Sequence, residues 1–433
     1  MTADRIRWIN HAGFELQTEG IRLVCDPWLH GLAFNQSWAL LSETRYQPAD
    51  FDGVDFIWLS HEHPDHFSPA SLRAIPSDIR AKITVLFQKA KDGRVAKFCR
   101  DLGFKEVREL QNWQPVALAP GVSFSLRRLD DDLDSLCFIK TPQQTYLNIN
   151  DCVVRDLNAF HRDILSITGR PDVLLTQFSY ANWTGNPGDV AAMKTVAEAK
   201  LKEIELQLAI YHPKILIPFA SFVWFCRSDN FHLNAGANAI ADVFERFHNG
   251  VACVALYPDD LYTVGEPWDS PSAIRRYQAD AAAHAVPLDV VDEIFSIEQL
   301  QTLADRLQEK VRSKNSVWML RPLQLLGYVK PIAIYLTDLK RSLTYSMFDG
   351  IDWKNDDSDA ADIEFASGAF AQMLRYGTGF DTLYISGRFA ERRPGARVQL
   401  GRNFVLPRRN EAGQFFPATF FDVAFLRKHL GFD

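Results

Sequence analysis

Val54-Asp55-Phe56-Ile57-Trp58-Leu59-Ser60 runs directly into His61-Glu62-His63-Pro64-Asp65-His66, and this junction decides the fold. The first part is almost continuously apolar, the pattern of a strand buried on both faces. The second part packs three histidines and two carboxylates into six positions, polar groups whose burial is costly unless something pairs them. Residues two apart in an extended segment point the same way, so His61 and His63 can share one metal ion. Pro64 stiffens the turn that offers Asp65 and His66 to another. Imidazole together with carboxylate suits zinc, iron or manganese.

Upstream of the junction, Ile6–Asn10, Gly13–Thr18 and Ile21–Cys25 read as short strands, a hairpin-rich start. Downstream, Ser68 offers an N-cap and Pro69 a first helical residue, opening a helix to about Ile75. Strands are expected at Ile83–Gln88, Val122–Leu126, Leu136–Ile139, Thr145–Ile149 and Asp172–Gln177, with a helical stretch at Gly93–Leu102. Asp189 to about Ala209 is rich in strong helix formers and has helical period. A strand at Ile215–Pro218, a helix at Ala235–Phe247 and a strand at Val251–Tyr257 complete the alternation. Strands with intervening helices over two halves imply sheets covered by helices on their outer faces. Glu266–Pro287 weakens into Pro/Ser- and alanine-rich sequence and reads as a linker. A new unit then begins with a helix at Ile297–Arg312, strands near Pro331–Tyr335 and Ser342–Ser346, a helix at Ser367–Tyr376, and a last element at Thr382–Ile385.

Length and composition bound the reading. At 433 residues the chain is longer than one hydrophobic core usually grows, so two domains are expected, and 47% hydrophobic residues can fill them. A net charge of −7, with no Lys/Arg cluster interleaved with aromatics, argues against nucleic acid as a partner. The six cysteines, Cys25, Cys99, Cys137, Cys152, Cys226 and Cys253, include no C-x-x-C pair, so neither a disulfide framework nor a cysteine-rich metal site is indicated. The opening MTADRIRWINHAGF has charges where a signal peptide needs an apolar run. No uncharged apolar stretch reaches the roughly 18 residues of a membrane span. The expectation is a cytoplasmic protein acting on a small molecule.

The S-H-x-H-x-D-H pattern at Ser60–His66, after a hydrophobic strand, resembles the signature of the metallo-β-lactamase superfamily. His11-Ala12-Gly13-Phe14 and Asp26-Pro27-Trp28-Leu29 are similar to the opening of the branch that includes ascorbate-6-phosphate lactonase and N-acyl-phosphatidylethanolamine phospholipase D. SHEHPDHFS at 60–68, Asn148-Ile149-Asn150-Asp151-Cys152, and Pro218-Phe219-Ala220 followed by Ser228-Asp229 resemble the catalytic region of CMP-N-acetylneuraminate hydroxylase. That likeness runs in patches from Ile6 to Tyr262. It implies an α/β fold, a four-layer αββα sandwich over residues 1–270, followed by a smaller α+β domain over 290–433.

Carried over position by position, the resemblance makes His61, His63, Asp65 and His66 metal ligands and Asp151 a carboxylate able to bridge two metals. Asp65 and His11 are also the candidate catalytic residues, and Asp26 is expected to orient a ligand-bearing loop by hydrogen bonds. Two positions depart from the family. Where it places a histidine before the Asp151 strand, this chain has Leu129-Asp130-Asp131-Asp132, so either Asp130 stands in as an oxygen ligand or the position is vacant. Where its last histidine is expected, this chain has Trp224-Phe225-Cys226-Arg227, with His232 a few residues late and His11 able to approach from the first strand. Tyr180, Trp183, Phe222 and Trp224 either line a pocket or fill the core.

These departures set the alternatives for function. A two-histidine, one-carboxylate set with open positions suits non-haem iron and oxygen, giving an iron-dependent oxygenase of a polar, nucleotide- or sugar-linked metabolite. If Asp130 and His232 complete two sites, a zinc- or manganese-dependent hydrolase of lactonase or phosphodiesterase type follows. A metal-binding protein without catalysis is the third reading. Iron is the favoured metal, as one or two ions. The chain has no Cys-x-His…Cys-x-x-His pair for a Rieske cluster, so an oxygenase would draw electrons from a separate donor protein or from its substrate. In the C-terminal unit, Ala361–Phe365, Gly377–Leu383 and Ile385–Phe389 resemble a sterol-carrier-type module, which implies an apolar tunnel; a lid or packing domain is the alternative, with Arg388 pairing a nearby carboxylate.

Overall fold

The structure, a computed structural model, describes residues 3–90, 92–129, 134–152, 156–354, 358–411, 413–417 and 419. The chain divides into two compact units. The first comprises residues 1–181, 190–224 and 234–287, and the second comprises 182–189, 225–233 and 288–433.

Two seven-stranded sheets build the first unit. One runs in the order Leu261–Thr263, Arg5–Asn10, Gly13–Thr18, Ile21–Cys25, Phe56–Trp58, Thr84–Gln88, Glu106–Leu110. Its first four strands are antiparallel neighbours, and from Ile21–Cys25 onward the pairing is parallel. The other sheet runs Ala252–Cys253, Ile215–Phe219, Val173–Gln177, Thr145–Asn150 in parallel, then Ser135–Lys140, Val122–Arg128 and Val116–Ala119 antiparallel. The hairpin between Thr18 and Ile21 closes on Glu19 and Gly20, at φ of 42° and 79°. Both values are left-handed, as the twist-compatible two-residue turn requires.

Side-chain alternation makes the layers. Leu23, Cys25 and Trp58 join Phe124, Leu126, Leu136 and Ile139 in one buried cluster, with the Trp58 and Phe124 rings 5.8 Å apart. Val24, Ile57, Val85 and Phe87 point the other way, onto Leu72, Ile75, Val95 and Cys99 of the covering helices. Helices Leu157–Thr168 and Val190–Tyr211 add Ile164, Leu201 and Ile204 to the buried core on the far side. The order of layers is therefore helix, sheet, sheet, helix. The stretch expected to be a linker instead contains the helix Ser270–Ala283, capped by Asp269 and started by Pro271, with Ala273, Ile274 and Tyr277 buried. Ala273, Ile274 and Tyr277 pack it onto the core, and the Tyr277 ring stacks on Phe222 at 4.4 Å.

The second unit has its own core around a five-stranded sheet, ordered Gly350–Trp353, Arg341–Ser346, Ile332–Leu336, Ile363–Phe365, Ala390–Glu391. Helices Ile297–Lys314 and Ser367–Arg375 bury Leu300, Leu307, Phe370 and Met373 against it. Arg388 is 2% exposed and is held by two carboxylates, Asp229 at 2.8 Å and Asp292 at 2.6 Å. Asp292 also receives Arg227 at 2.7 Å. Among the described residues no helix is long and apolar enough to cross a membrane.

Candidate metal centre

Parallel strands direct their carboxyl ends to one edge of each sheet, where ligand sites in such folds form. Asp26 follows Ile21–Cys25, the segment His61–His66 follows Phe56–Trp58 and Ser60, Asp151 follows Thr145–Asn150, and Ala220 follows Ile215–Phe219. His11 follows the antiparallel strand Arg5–Asn10. Several of these exits are strained. His11, Asp26, Asn150 and Ala220 adopt left-handed φ values of 45°, 39°, 61° and 49°. Each costs on the order of 1–2 kcal/mol for a residue with a Cβ, and such conformations persist where the surroundings fix them at functional sites. The Ala220 amide donates to the His11 carbonyl at 3.1 Å, joining two of them.

Three overlapping groups of side chains result: His11, Asp65 and His66; His61, His66 and Asp151; His61, His63 and Asp134. Within each, the ligand atoms lie within 4.8 Å of one another. His11 Nε2 is 3.2 Å from Asp65 Oδ2, and His66 Nε2 is 3.4 Å from the same oxygen and 3.5 Å from Asp151 Oδ2. His61 Nε2 is 3.7 Å from both Asp134 Oδ1 and Asp151 Oδ2, and 2.8 Å from His63 Nδ1. Donors bound at about 2.1 Å to a tetrahedral ion stand about 3.4 Å apart, which these separations bracket.

Hydrogen bonds behind the cluster set its polarity. Asp26, fully buried, accepts from the Ser60 amide at 2.8 Å, Ser60 Oγ at 2.6 Å and Asn150 Nδ2 at 3.2 Å, and its Oδ2 meets His66 Nδ1 at 2.9 Å. Because Ser60 Oγ spends its proton on Asp26, it accepts from His61 Nδ1 at 2.9 Å, which leaves His61 Nε2 with a lone pair. That lone pair faces two carboxylates. His11 Nδ1, Asp65 Oδ1, His66 Nε2 and Asp151 Oδ1 are buried without a hydrogen-bond partner. Acceptors converging on acceptors call for positive charge between them, and these residues fit a divalent cation on that ground.

Ionisation follows the same demand. Burial opposes the charged form of His66, yet the charges of Asp65 and Asp151 and the hydrogen bond to Asp26 hold its pKa well above the ordinary value. Burial pushes Asp65 upward, but His66 and the hydrogen bond from His11 outweigh it and keep the carboxyl well below its usual range. Asp151 is likewise lowered against burial by His61 and His66. For His61 and His11 burial dominates, and both are lowered. A proton on His66 answers the carboxylates in part; a metal dication would answer them with more charge.

His11, His61, Asp65 and His66 are at most 3% exposed. His63 and Asp151 are half-buried, so the cluster opens to solvent on their side. Phe34 packs its ring 5.6 Å from that of His63.

The other expected residues fall elsewhere. Asp130 lies outside the described residues. His232 belongs to the second unit, where its Nε2 meets the Gly185 carbonyl at 3.1 Å, and it is in none of the three groups. Cys226 is buried. Asp134 was not anticipated. The antiparallel register that pairs Cys137 with Asn148 puts Asp134 opposite Asp151 when continued to the strand end, and that register was the available signal.

The chain is similar to several known proteins. Residues 5–164 match the family described as "Beta-lactamase superfamily domain". A putative Rieske 2Fe-2S iron-sulfur protein of Mycobacterium tuberculosis is 21% identical over 369 residues, covering 78% of this chain and 68% of the relative. The cytidine monophosphate-N-acetylneuraminic acid hydroxylase of Cricetulus griseus is 37% identical over 75 residues, which are 16% of this chain and 13% of the hydroxylase. Among solved structures, CmlA, described as a diiron β-hydroxylase from Streptomyces venezuelae, aligns with a TM-score of 0.43 at 12% identity over 61% of this chain and 55% of its own. A possible metal-dependent hydrolase from Veillonella parvula aligns at 0.46 and 13% identity, over 61% of this chain and all of its own.

Proposed function

We propose that this protein is an iron-dependent oxygenase with a two-metal centre. His61, His63 and Asp134 would hold one ion, His11, Asp65 and His66 the other, and Asp151 would lie between them. The observation that carries this reading is the composition of the three groups: each consists of two histidines and one aspartate. Two imidazoles with one carboxylate and open positions is the donor set that suits non-haem iron and oxygen chemistry. When bound, the metal would activate oxygen, while the two electrons that hydroxylation consumes would come from an electron donor.

The chain's own residues do the rest. Asp26 and Ser60 fix the ring orientation of His66 and His61, so that both Nε2 atoms face inward. Trp28 packs edge-on to His11 at 5.8 Å and helps exclude water from that side. Substrate approaches from the side of His63 and Asp151, the more exposed pair. The similarity to CMP-N-acetylneuraminic acid hydroxylase supports a polar, nucleotide- or sugar-linked substrate. The relative named as a Rieske iron–sulfur protein supports a cluster-bearing electron donor, which here would be a separate protein. Cytoplasmic location is part of the same reading.

The test is anaerobic loading with Fe(II), metal analysis, and oxygen uptake with a chemical reductant. We expect about two iron ions per chain, lost in His61→Ala and reduced in Asp134→Ala, with oxygen uptake stimulated by a nucleotide sugar. Retention of zinc, together with His61-dependent cleavage of esters or phosphodiesters, would replace this reading with hydrolysis. Failure to retain any metal would leave a binding protein.

A further inference from the structure

The second unit presents a surface that the metal centre does not use. Val317–Leu320 and Arg321–Leu325 form two short helical turns, and around them Trp318, Met319, Leu325, Leu326 and Tyr328 are 74, 44, 89, 80 and 54% exposed. Singly exposed apolar side chains are ordinary, but here five large ones fall within eleven residues of one short helical tip. Val317 and Val329 at its two ends are buried in the core, so the tip is anchored at both sides.

Charge around this tip has one dominant sign. From Lys310 to Thr337 the sequence contains Lys310, Arg312, Lys314, Arg321 and Lys330 and no aspartate or glutamate, in a chain whose net charge is −7. Arg402 adds a sixth cation, with its guanidinium 4.3 Å from the Tyr328 ring centre and a hydrogen bond to the Tyr328 carbonyl at 3.0 Å. Asp349 meets Arg321 at 2.8 Å and Glu411 meets Lys310 at 2.9 Å, which leaves the local excess positive.

We infer that this tip docks on an anionic lipid surface, with Trp318, Leu325 and Leu326 entering the headgroup boundary and Arg321, Lys330 and Arg402 facing lipid phosphates. An apolar tip ringed by cations matches both layers of such a surface, and tryptophan is favoured at the boundary between them. A symmetric contact with a second copy fits less well, because it would press the same cations against each other.

Vesicle flotation of the full chain tests this. Vesicles of phosphatidylcholine with phosphatidylserine should carry the protein, vesicles of phosphatidylcholine alone should not, and added salt should weaken the binding. Two double variants, Leu325→Ser with Leu326→Ser and Arg321→Glu with Lys330→Glu, should each lower binding about tenfold or more. Thermal melting should be unchanged in the leucine variant, whose side chains are exposed, and only slightly lowered in the charge variant, where Asp349 loses Arg321. Equal binding to both vesicle types, or to neither, would overturn the proposal. So would sedimentation equilibrium showing a wild-type dimer that the leucine variant converts to monomer, since the tip would then be a contact between copies.

Discussion

Asp26 Oδ2 lies 2.9 Å from His66 Nδ1, and neither side chain is exposed. With Nδ1 donating to Asp26, His66 turns Nε2 toward Asp65 and Asp151, the orientation a metal requires. Asp26 thus organises the centre from behind, through Ser60 and Asn150 as well as His66.

Replacing Asp26 should therefore weaken metal binding without removing a ligand. We expect Asp26→Asn to lower metal affinity about 10–100-fold, measured by competition with a chromophoric chelator. An unchanged affinity would mean that the backbone alone holds His66 in place.

Metal removal should destabilise the first unit, because converging acceptors lose the charge between them. Saturation at a thousandfold excess over Kd corresponds to about 4 kcal/mol. Calorimetry of the chelator-treated and metal-loaded protein should show a lower melting temperature for the former, and His61→Ala should abolish the difference.

His161 offers a pH test remote from the ligands. It is fully buried, with Nδ1 2.9 Å from the Tyr211 hydroxyl, and burial lowers its pKa to about 4. The unfolded chain binds this proton first as pH falls below the ordinary histidine value. Stability should therefore fall between about pH 6.5 and 4, at about 1.4 kcal/mol per pH unit for this one group. Denaturant titrations across that range should show a shallower slope in His161→Phe.

Arg388 tests the second unit. Removing it leaves Asp229 and Asp292 without their main counter-charge, although both carboxylates are about one third exposed. Arg388→Ala should cost about 3 kcal/mol, at the lower end for breaking a buried pair, read from the unfolding midpoint. Asp292 is itself held below the usual carboxylate range, burial opposing and Arg388 and Arg227 prevailing. Its contribution should persist above about pH 3.8 and fade only at more acid pH.

Much of the first unit is legible in local pattern. The apolar run before Ser60, the alternation around Leu23 to Cys25 and the cap at Ser68 each express an interaction between near neighbours in the chain. Helix Ser270–Ala283 was not legible, because an alanine-rich stretch looks alike as a linker or a packed helix, and contacts with residues distant in sequence such as Trp8 and Phe222 decide for the helix. The two edge strands Glu106–Leu110 and Val116–Ala119 escaped for a related reason, being only partly buried and so weakly patterned.

By itself the sequence determined that a candidate metal-binding turn follows a buried strand, since three histidines and two carboxylates in His61–His66 fall within six residues. Only tertiary structure decided which further residues join the candidate centre. His11 and Asp134 stand 123 positions apart, and each reaches the cluster because strand register and left-handed strand exits bring it there. Ligand identity is local chemistry, whereas ligand geometry is a property of sheets, whose pairings join residues that the chain keeps far apart.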